Sequence, residues 1–365
     1  MDKTRRGASW CRKTPPSWSL RTGLFLLATM SMVSTSATAG SNPTPSVVPG
    51  FTLSTFASAP AGSTAPDSIA IVKNTVWVAF GNGGKPDGSD GAKSTIVEYS
   101  NKGAVLRSLT VVGHNDGLRL DPHTGKLWAM QNEDSDPNLV IINPASGSME
   151  NYTFGKTPHG GGYDDIAFRG NAIYLSASNP TADSSGNVAG PSIVEAKLEA
   201  DHTVSVTPLL PGTPNAVDMV TGKAITLNLT DPDSLIFAPS GDLLLDDQGD
   251  AQLVLVHLSS PDKQKTRVLT LAGSVQVDDT IFATSHHGYL LVADRDANTI
   301  YRLDAPGWVR DIAYSASTGV AASTKAPITP AIPAYVGEVN FHTGAVTPVI
   351  SNLVSPHGMA FVATQ

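Results

Sequence analysis

The chain has 365 residues, with 24 Lys and Arg against 32 Asp and Glu, a net charge of −8 and one cysteine, Cys11. A single cysteine excludes internal disulfides, zinc-thiolate sites and iron–sulfur clusters. The acidic balance argues against nucleic acid and anionic membrane surfaces as partners.

Residues 1–39 read as a secretory signal peptide. Arg5, Arg6, Arg12, Lys13 and Arg21 precede an apolar run from Leu24 to Val33, and Ala37-Thr38-Ala39 offers small residues for cleavage. The run is shorter than the ~20 residues a spanning helix needs, so no membrane span is expected. An exported protein of the periplasm or extracellular space follows. Without the leader, 18 basic and 31 acidic side chains remain, net −13, and no thiol. Residues 40–50 form a Pro/Ser-rich flexible leader, and residues 51–365 a single domain.

From Phe51 onward the sequence predicts strands. Phe51-Thr52-Leu53-Ser54-Thr55-Phe56 alternates as a strand does, and six short apolar strands are then announced by similar residues. These are Pro66-Asp67-Ser68-Ile69, Asn115-Asp116-Gly117-Leu118, Tyr163-Asp164-Asp165-Ile166, Pro232-Asp233-Ser234-Leu235, Val277-Asp278-Asp279-Thr280 and Pro356-His357-Gly358-Met359. A second apolar run follows most copies: Thr75–Ala79, Lys126–Met130, Ala172–Ser176, Asp242–Leu245 and Tyr289–Ala293. Third and fourth strands are joined by turns such as Asn143-Pro144-Ala145-Ser146-Gly147. Four-stranded units at a period near ~45 residues predict an all-β fold, a β-propeller. The last signature has no unit behind it, so strands from both termini are expected to close the ring. Signature spacings of 49, 48, 69, 45 and 79 residues place insertions around 199–228 and 304–334. The second could hide strands of a further blade, so six blades are expected, with five or seven open.

In a propeller the first strand of each blade lines the channel, and its start opens on the same face as the loop between second and third strands. Acidic residues gather at both places. The strand starts carry Asp67, Asp116, Asp164, Asp233 and Asp278, with His357 in the sixth position. The loops carry Glu133-Asp134-Ser135-Asp136, Asp246-Asp247-Gln248-Gly249-Asp250 and Asp294-Arg295-Asp296-Ala297-Asn298. Carboxylates crowded on one axis raise each other's pKa unless protons, hydrogen bonds or a cation compensate. Oxygen-only ligands favour a hard divalent cation such as Ca²⁺. The five aspartates are thus candidate metal ligands; alternatively each accepts hydrogen bonds from backbone of its own turn or a neighbouring blade. His114, His159 and His357, in connections leading to first strands, could act as general acid or base or bind a softer metal, or could simply fix turns. His286-His287 falls in the hairpin between first and second strands, on the opposite face. Asp87-Gly88-Ser89-Asp90 resembles part of a calcium loop but lacks the remaining ligands. Trp77 and Trp128, at equivalent second-strand positions, read as core.

The stretches Pro232–Asp247, Asp279–Phe282 with Leu291–Arg302, and Ser355–Phe361 resemble the gluconolactonase / senescence marker protein family and the related NHL-repeat propellers. The resemblance implies a six-bladed propeller with an axial divalent cation, often Ca²⁺, that polarises a lactone or ester while an Asp acts as base. Asp233 and Asp278 match the family's axial Asn and Asp. Asp67 stands where the family has a Glu in a Glu-Gly-Pro motif that this chain lacks. The resulting expectation is a metal-dependent hydrolase of a lactone or ester, acting as a monomer. Asp278 and His357 would be catalytic, Asp67, Asp116, Asp164, Asp233 and Asp278 metal-binding, and His114, His159, Asp247 and Asp294 substrate-binding. The alternative is a non-catalytic propeller whose acidic face or insertions bind a protein or glycan partner.

Overall fold

A computed structural model describes residues 44–258, 265–329 and 331–364. The expected signal peptide lies outside the described residues. No helix among those described is long and apolar enough to cross a membrane. Apart from short turns of 3₁₀ helix at Gln248–Asp250 and Ala272–Ser274, the described regular structure is strand.

After β1 (Ser46–Val47) and β2 (Thr52–Ser58), the strands β3 (Pro66–Val72), β4 (Thr75–Phe80), β5 (Lys93–Ser100) and β6 (Val105–Val112) form a four-stranded antiparallel meander. A second meander contains β7 (Asn115–Leu120), β8 (Leu127–Gln131), β9 (Asn138–Ile142) and β10 (Met149–Phe154). A third contains β11 (Ile166–Arg169), β12 (Ala172–Ser176), β13 (Pro191–Leu198) and β14 (Thr203–Pro211). A two-residue parallel pairing, Thr153 with Thr203 and Phe154 with Val204, joins the outer strands of these two meanders into one eight-stranded sheet.

The insertion around 199–228 adds no unit of its own. It holds the long outer strand β14 and a hairpin, β15 (Asn215–Asp218) and β16 (Ala224–Thr226). That hairpin caps the edge of the next meander, β17 (Pro232–Phe237), β18 (Leu243–Asp247), β19 (Gln252–His257) and β20 (Lys265–Thr270), by pairing β15 parallel to β20. An edge covered this way no longer offers unpaired backbone groups.

The last third departs from the simple repeat. After β21 (Thr280–Phe282) come β22 (Gly288–Asp294) and β23 (Thr299–Asp304), then β24 (Ala313–Ser317), β25 (Ala334–Val339), β26 (Val346–Leu353) and β27 (Pro356–Ala363). Tyr289–Ala293, expected as the hairpin partner of the strand at Thr280, pairs instead with β27, and the sheet order is β2-β23-β22-β27. The partner of β21 is β24, from the insertion around 304–334, in a sheet ordered β1-β26-β25-β24-β21. His286-His287 therefore lies in a crossover between sheets and not in a hairpin. The exchange gives the C-terminal strand a partner and brings strands from both ends of the described chain into one sheet. It also sandwiches Leu290, Val292 and Leu303 against Trp308, Tyr314 and Met359, all buried.

Second and third strands are apolar on both faces because each sheet is covered on both sides: Thr75–Phe80 and Leu243–Asp247 are buried almost throughout. Outer strands such as β6 are exposed or half-buried along most of their length. Trp77 and Trp128 both lie in the core. Around the centre, β3, β7, β11, β17, β21 and β27 are neighbours in that order, with β27 against β3.

Candidate functional site

Each central strand begins at its signature, so the signatures meet at one mouth of the channel. Asp67, Asp116, Asp164, Asp233, Asp278 and His357 line a cavity of about 350 Å³ there. The loops between second and third strands add Glu133, Asp134, Gln248 and Arg295, and the insertion around 304–334 adds Lys325.

On one side, His357 Nδ1 lies 3.0 Å from Asp278 Oδ1 and 3.5 Å from Asp67 Oδ2, while its Nε2 is 3.1 Å from Ser355 Oγ. Burial alone would favour the neutral ring, but Asp278 and Asp67 prevail and push the imidazole up to about 9. Burial, reinforced by Asp116 and Asp278 and opposed by His357, pushes Asp67 up to about 7. Gln248 Nε2 donates to Asp233 Oδ2 (2.6 Å) and Asp278 Oδ1 (3.1 Å), so one amide bridges two carboxylates. Lys325 Nζ completes that wall, 3.1 Å from Asp231 Oδ2.

On the other side, His114 Nε2 is 3.3 Å from Asp116 Oδ2. The Glu133 carboxyl lies within hydrogen-bonding reach of both Asp116 and Asp164. Burial, then repulsion by Asp116 and Asp164, holds Glu133 well above the usual carboxylate range. Burial and neighbouring carboxylates do the same for Asp164 and Asp233. Asp116 is also buried, but His114 outweighs that and its pKa is lowered.

A second layer lies beneath. Arg119 donates from Nε (3.2 Å) and Nη2 to Asp165 Oδ2, and its Nη2 lies 3.7 Å from Asp279 Oδ1. Asp165 Oδ2 also accepts the Leu235 N–H (2.9 Å) and Asp279 Oδ2 the Met359 N–H (2.7 Å), each across to the next sheet. The double-aspartate signatures thus divide their work: Asp164 and Asp278 face the cavity, while Asp165 and Asp279 tie sheets together. At these two positions the backbone tethering raised as the alternative for the strand-start aspartates is carried out by the neighbouring aspartate.

Three candidate binding residues lie outside the cavity lining. His159 is buried with Nε2 2.6 Å from the Gly162 carbonyl oxygen, and its ring packs on Tyr163. Burial lowers its pKa, and it fixes a turn. Asp247 accepts the Asp231 N–H (3.0 Å). Asp294 accepts the N–H groups of Val354 (3.0 Å) and Ser355 (2.7 Å), holding the loop that presents His357. Each bonds backbone, which a sequence position alone does not reveal, although His159 Nδ1 and Asp247 Oδ2 remain buried without a hydrogen bond. Asp87 and Asp90 likewise accept N–H groups of their own loop.

Glu133, Gln248, Arg295 and Lys325 line the cavity without having been singled out, and Arg119 closes its floor. Arg119 had a signal: in Gly117-Leu118-Arg119-Leu120 the apolar alternation points a charge at the channel. Glu133 opened an acidic loop already noted, whereas Lys325, far along an insertion, had none.

No family profile and no curated protein matches the chain. Solved structures do. They include a periplasmic gluconolactonase of Pseudomonas aeruginosa, 12% identical, covering 82% of this chain and 89% of that one at a TM-score of 0.46. Virginiamycin B lyase of Staphylococcus aureus is 14% identical over 69% of this chain and 99% of that one, TM-score 0.33. The PQQ domain of a Coprinopsis cinerea pyranose dehydrogenase is 11% identical over 72% and 97%, TM-score 0.41. Gluconolactonase-like β-propellers are among its structural neighbours. At these scores the likeness carries no argument about chemistry, which has to come from the site.

Proposed function

We propose that the chain is an exported six-bladed β-propeller that hydrolyses a lactone or a related ester with the help of a divalent cation. The observation that carries this reading is the cavity itself, where an imidazolium pinned between two carboxylates faces further carboxyls that lack enough protons or basic partners to be neutralised.

The donor set fits a cation. Asp116 Oδ2, which faces His114 Nε2, is buried without a hydrogen bond. Asp164, Asp233 and Glu133 must otherwise take up protons to coexist. Of the ring aspartates expected as ligands, Asp116, Asp164 and Asp233, together with Glu133, would hold the ion, while Asp67 and Asp278 are engaged with His357; Ca²⁺ is the expectation from the family resemblance. When bound, the ion would supply Lewis acidity to a carbonyl oxygen.

The remaining chemistry belongs to the side chains. His357 carries a proton at neutral pH and donates it to the alkoxide that leaves as the acyl C–O bond breaks. Asp278 holds Nδ1 and orients the ring. Asp67, pushed to about 7, is tuned to accept the proton of the attacking water, since a general base works best with a pKa near the working pH. Asp294 positions His357 through the Val354 and Ser355 amides. Export rests on the reading of residues 1–39.

Elemental analysis of purified protein, thermal melts in EDTA and after adding back Ca²⁺, Mn²⁺ or Zn²⁺, and a screen of lactones and esters test this. An ion present at 100 times its Kd stabilises by about 2.7 kcal/mol. We expect such a shift, and turnover that is lost in EDTA and in His357→Gln. An absence of bound ion and of any metal-dependent shift would end the metallohydrolase reading and turn attention to a protein or glycan partner.

A further inference from the structure

We infer that the cation occupies the side of the cavity formed by His114, Asp116 and Glu133, and that this imidazole-containing trio selects a transition metal of the Mn²⁺ or Zn²⁺ class over Ca²⁺. The inference sharpens the cation part of the function proposed above and rests on it.

The cavity offers two trios whose ligand atoms lie within 4.8 Å of one another: Asp67, Asp278 and His357, and His114, Asp116 and Glu133. They differ in what they already hold. In the first, the imidazole is bonded at both nitrogens, to Asp278 and to Ser355, and Asp278 also accepts from Gln248. A cation there would displace a complete set of contacts. In the second, His114 is only 3% exposed, its Nε2 faces Asp116 Oδ2 at 3.3 Å, and that oxygen is buried without a hydrogen bond. A buried carboxylate oxygen left this way costs on the order of 1–3 kcal/mol, so a cation that uses it binds with that penalty relieved.

The second trio is also held in place. The His114 N–H donates to Asn132 Oδ1 (3.0 Å) and the Asn132 N–H to the His114 carbonyl (2.7 Å), which fixes His114 against the residue preceding Glu133. The Gly162 N–H bonds the Glu133 carbonyl (2.9 Å) from the next meander. Gly81 leaves the space the imidazole fills, since a Cβ there would stand 2.8 Å from its Cε1. Two carboxyls and one imidazole on a clamped frame form a mixed oxygen and nitrogen set. Nitrogen ligands suit Zn²⁺ and its neighbours, while Ca²⁺ prefers six to eight oxygens.

The test is metal binding to the EDTA-stripped protein by isothermal titration with MnCl₂, ZnCl₂ and CaCl₂, together with electron spin echo modulation of the Mn²⁺ form to detect ligand nitrogen. We expect one Mn²⁺ or Zn²⁺ per chain, bound more tightly than Ca²⁺, with a nitrogen signal. Affinity should fall at least about 10-fold in His114→Gln and in Glu133→Gln and hold in Asp278→Asn. The nitrogen signal should vanish in His114→Gln. Gly81→Ala, which keeps every donor but crowds the ring, should weaken binding in the same direction. A nitrogen signal that survives His114→Gln, binding lost in Asp278→Asn but kept in His114→Gln, or tight Ca²⁺ binding without ligand nitrogen would each overturn the inference and leave a metallohydrolase standing. Wild-type protein that binds none of the three ions would remove both.

Discussion

Replacing Arg119 with Met takes away the one guanidinium on the floor of the cavity and keeps most of its apolar length. Asp165 and Asp279, each with a side chain 3% exposed, would then face one another without a counter-charge, while Leu235 and Met359 still draw on them through backbone N–H groups. Removing one partner of a buried pair costs about 3–5 kcal/mol, against about 1 kcal/mol or less for an exposed pair, and the burial of these carboxylates places them with the former. In a chain of this size that is a fall in Tm of roughly 4–7 °C. The pH dependence is the sharper test. Burial pushes Asp279 up to about 6 even with Arg119 present, so its folded value lies above its unfolded one. Such a carboxyl penalises the folded state in full above about pH 6, and the penalty fades as the pH falls through 6 toward 4. Without Arg119 the carboxyl rises further, so the deficit of the variant should be largest at pH 8 and clearly smaller at pH 5. Urea unfolding followed by tryptophan fluorescence at the two pH values measures it. A loss below about 1 kcal/mol, or one that does not change with pH, would refute the view of Arg119 as the neutralising plug of a buried acidic layer.

Three further outcomes follow from the same contacts. His357, raised to about 9 from an ordinary 6.5, gives stability that is complete below about pH 6.5 and is lost as the pH rises through 9; its imidazole should titrate near 9 by NMR, and His357→Gln should flatten the decline in Tm over that window. Asp294→Ala strips the Val354 and Ser355 amides of their acceptor and should cost about 2–3 kcal/mol, while the midpoint of His357 moves toward 6.5 as its loop loosens; an unmoved midpoint would count against Asp294 as a positioning residue. Gly117→Ala sets a Cβ against the Asp164 carbonyl and should lose about 1–3 kcal/mol or more, whereas Gly155→Ala, with open space around it, should be close to neutral by the same melts.

The strands and the ring of acids were legible in the sequence because both rest on local rules. A strand covered on both faces is largely apolar, as Val76–Phe80 and Leu243–Leu245 are, and turn residues recur wherever the chain reverses. The repeat of Asp at strand starts then places Asp67, Asp116, Asp164, Asp233 and Asp278 at one mouth as a matter of antiparallel order. What the sequence could not decide is how side chains are shared between units. Which of Asp164 and Asp165 faces the cavity, whether Asp294 serves a ligand or two amides, and whether Tyr289–Ala293 pairs with the strand before it or with the C-terminal strand all depend on contacts between residues far apart in the chain. Hydrogen bonds and burial of that kind are set by three-dimensional neighbours. Periodicity therefore determined that a ring of sheets with an acidic mouth would form, and only the tertiary structure decided that Arg119 plugs it, that His357 lies pinned between two aspartates, and that Glu133 joins His114 and Asp116 on the opposite wall.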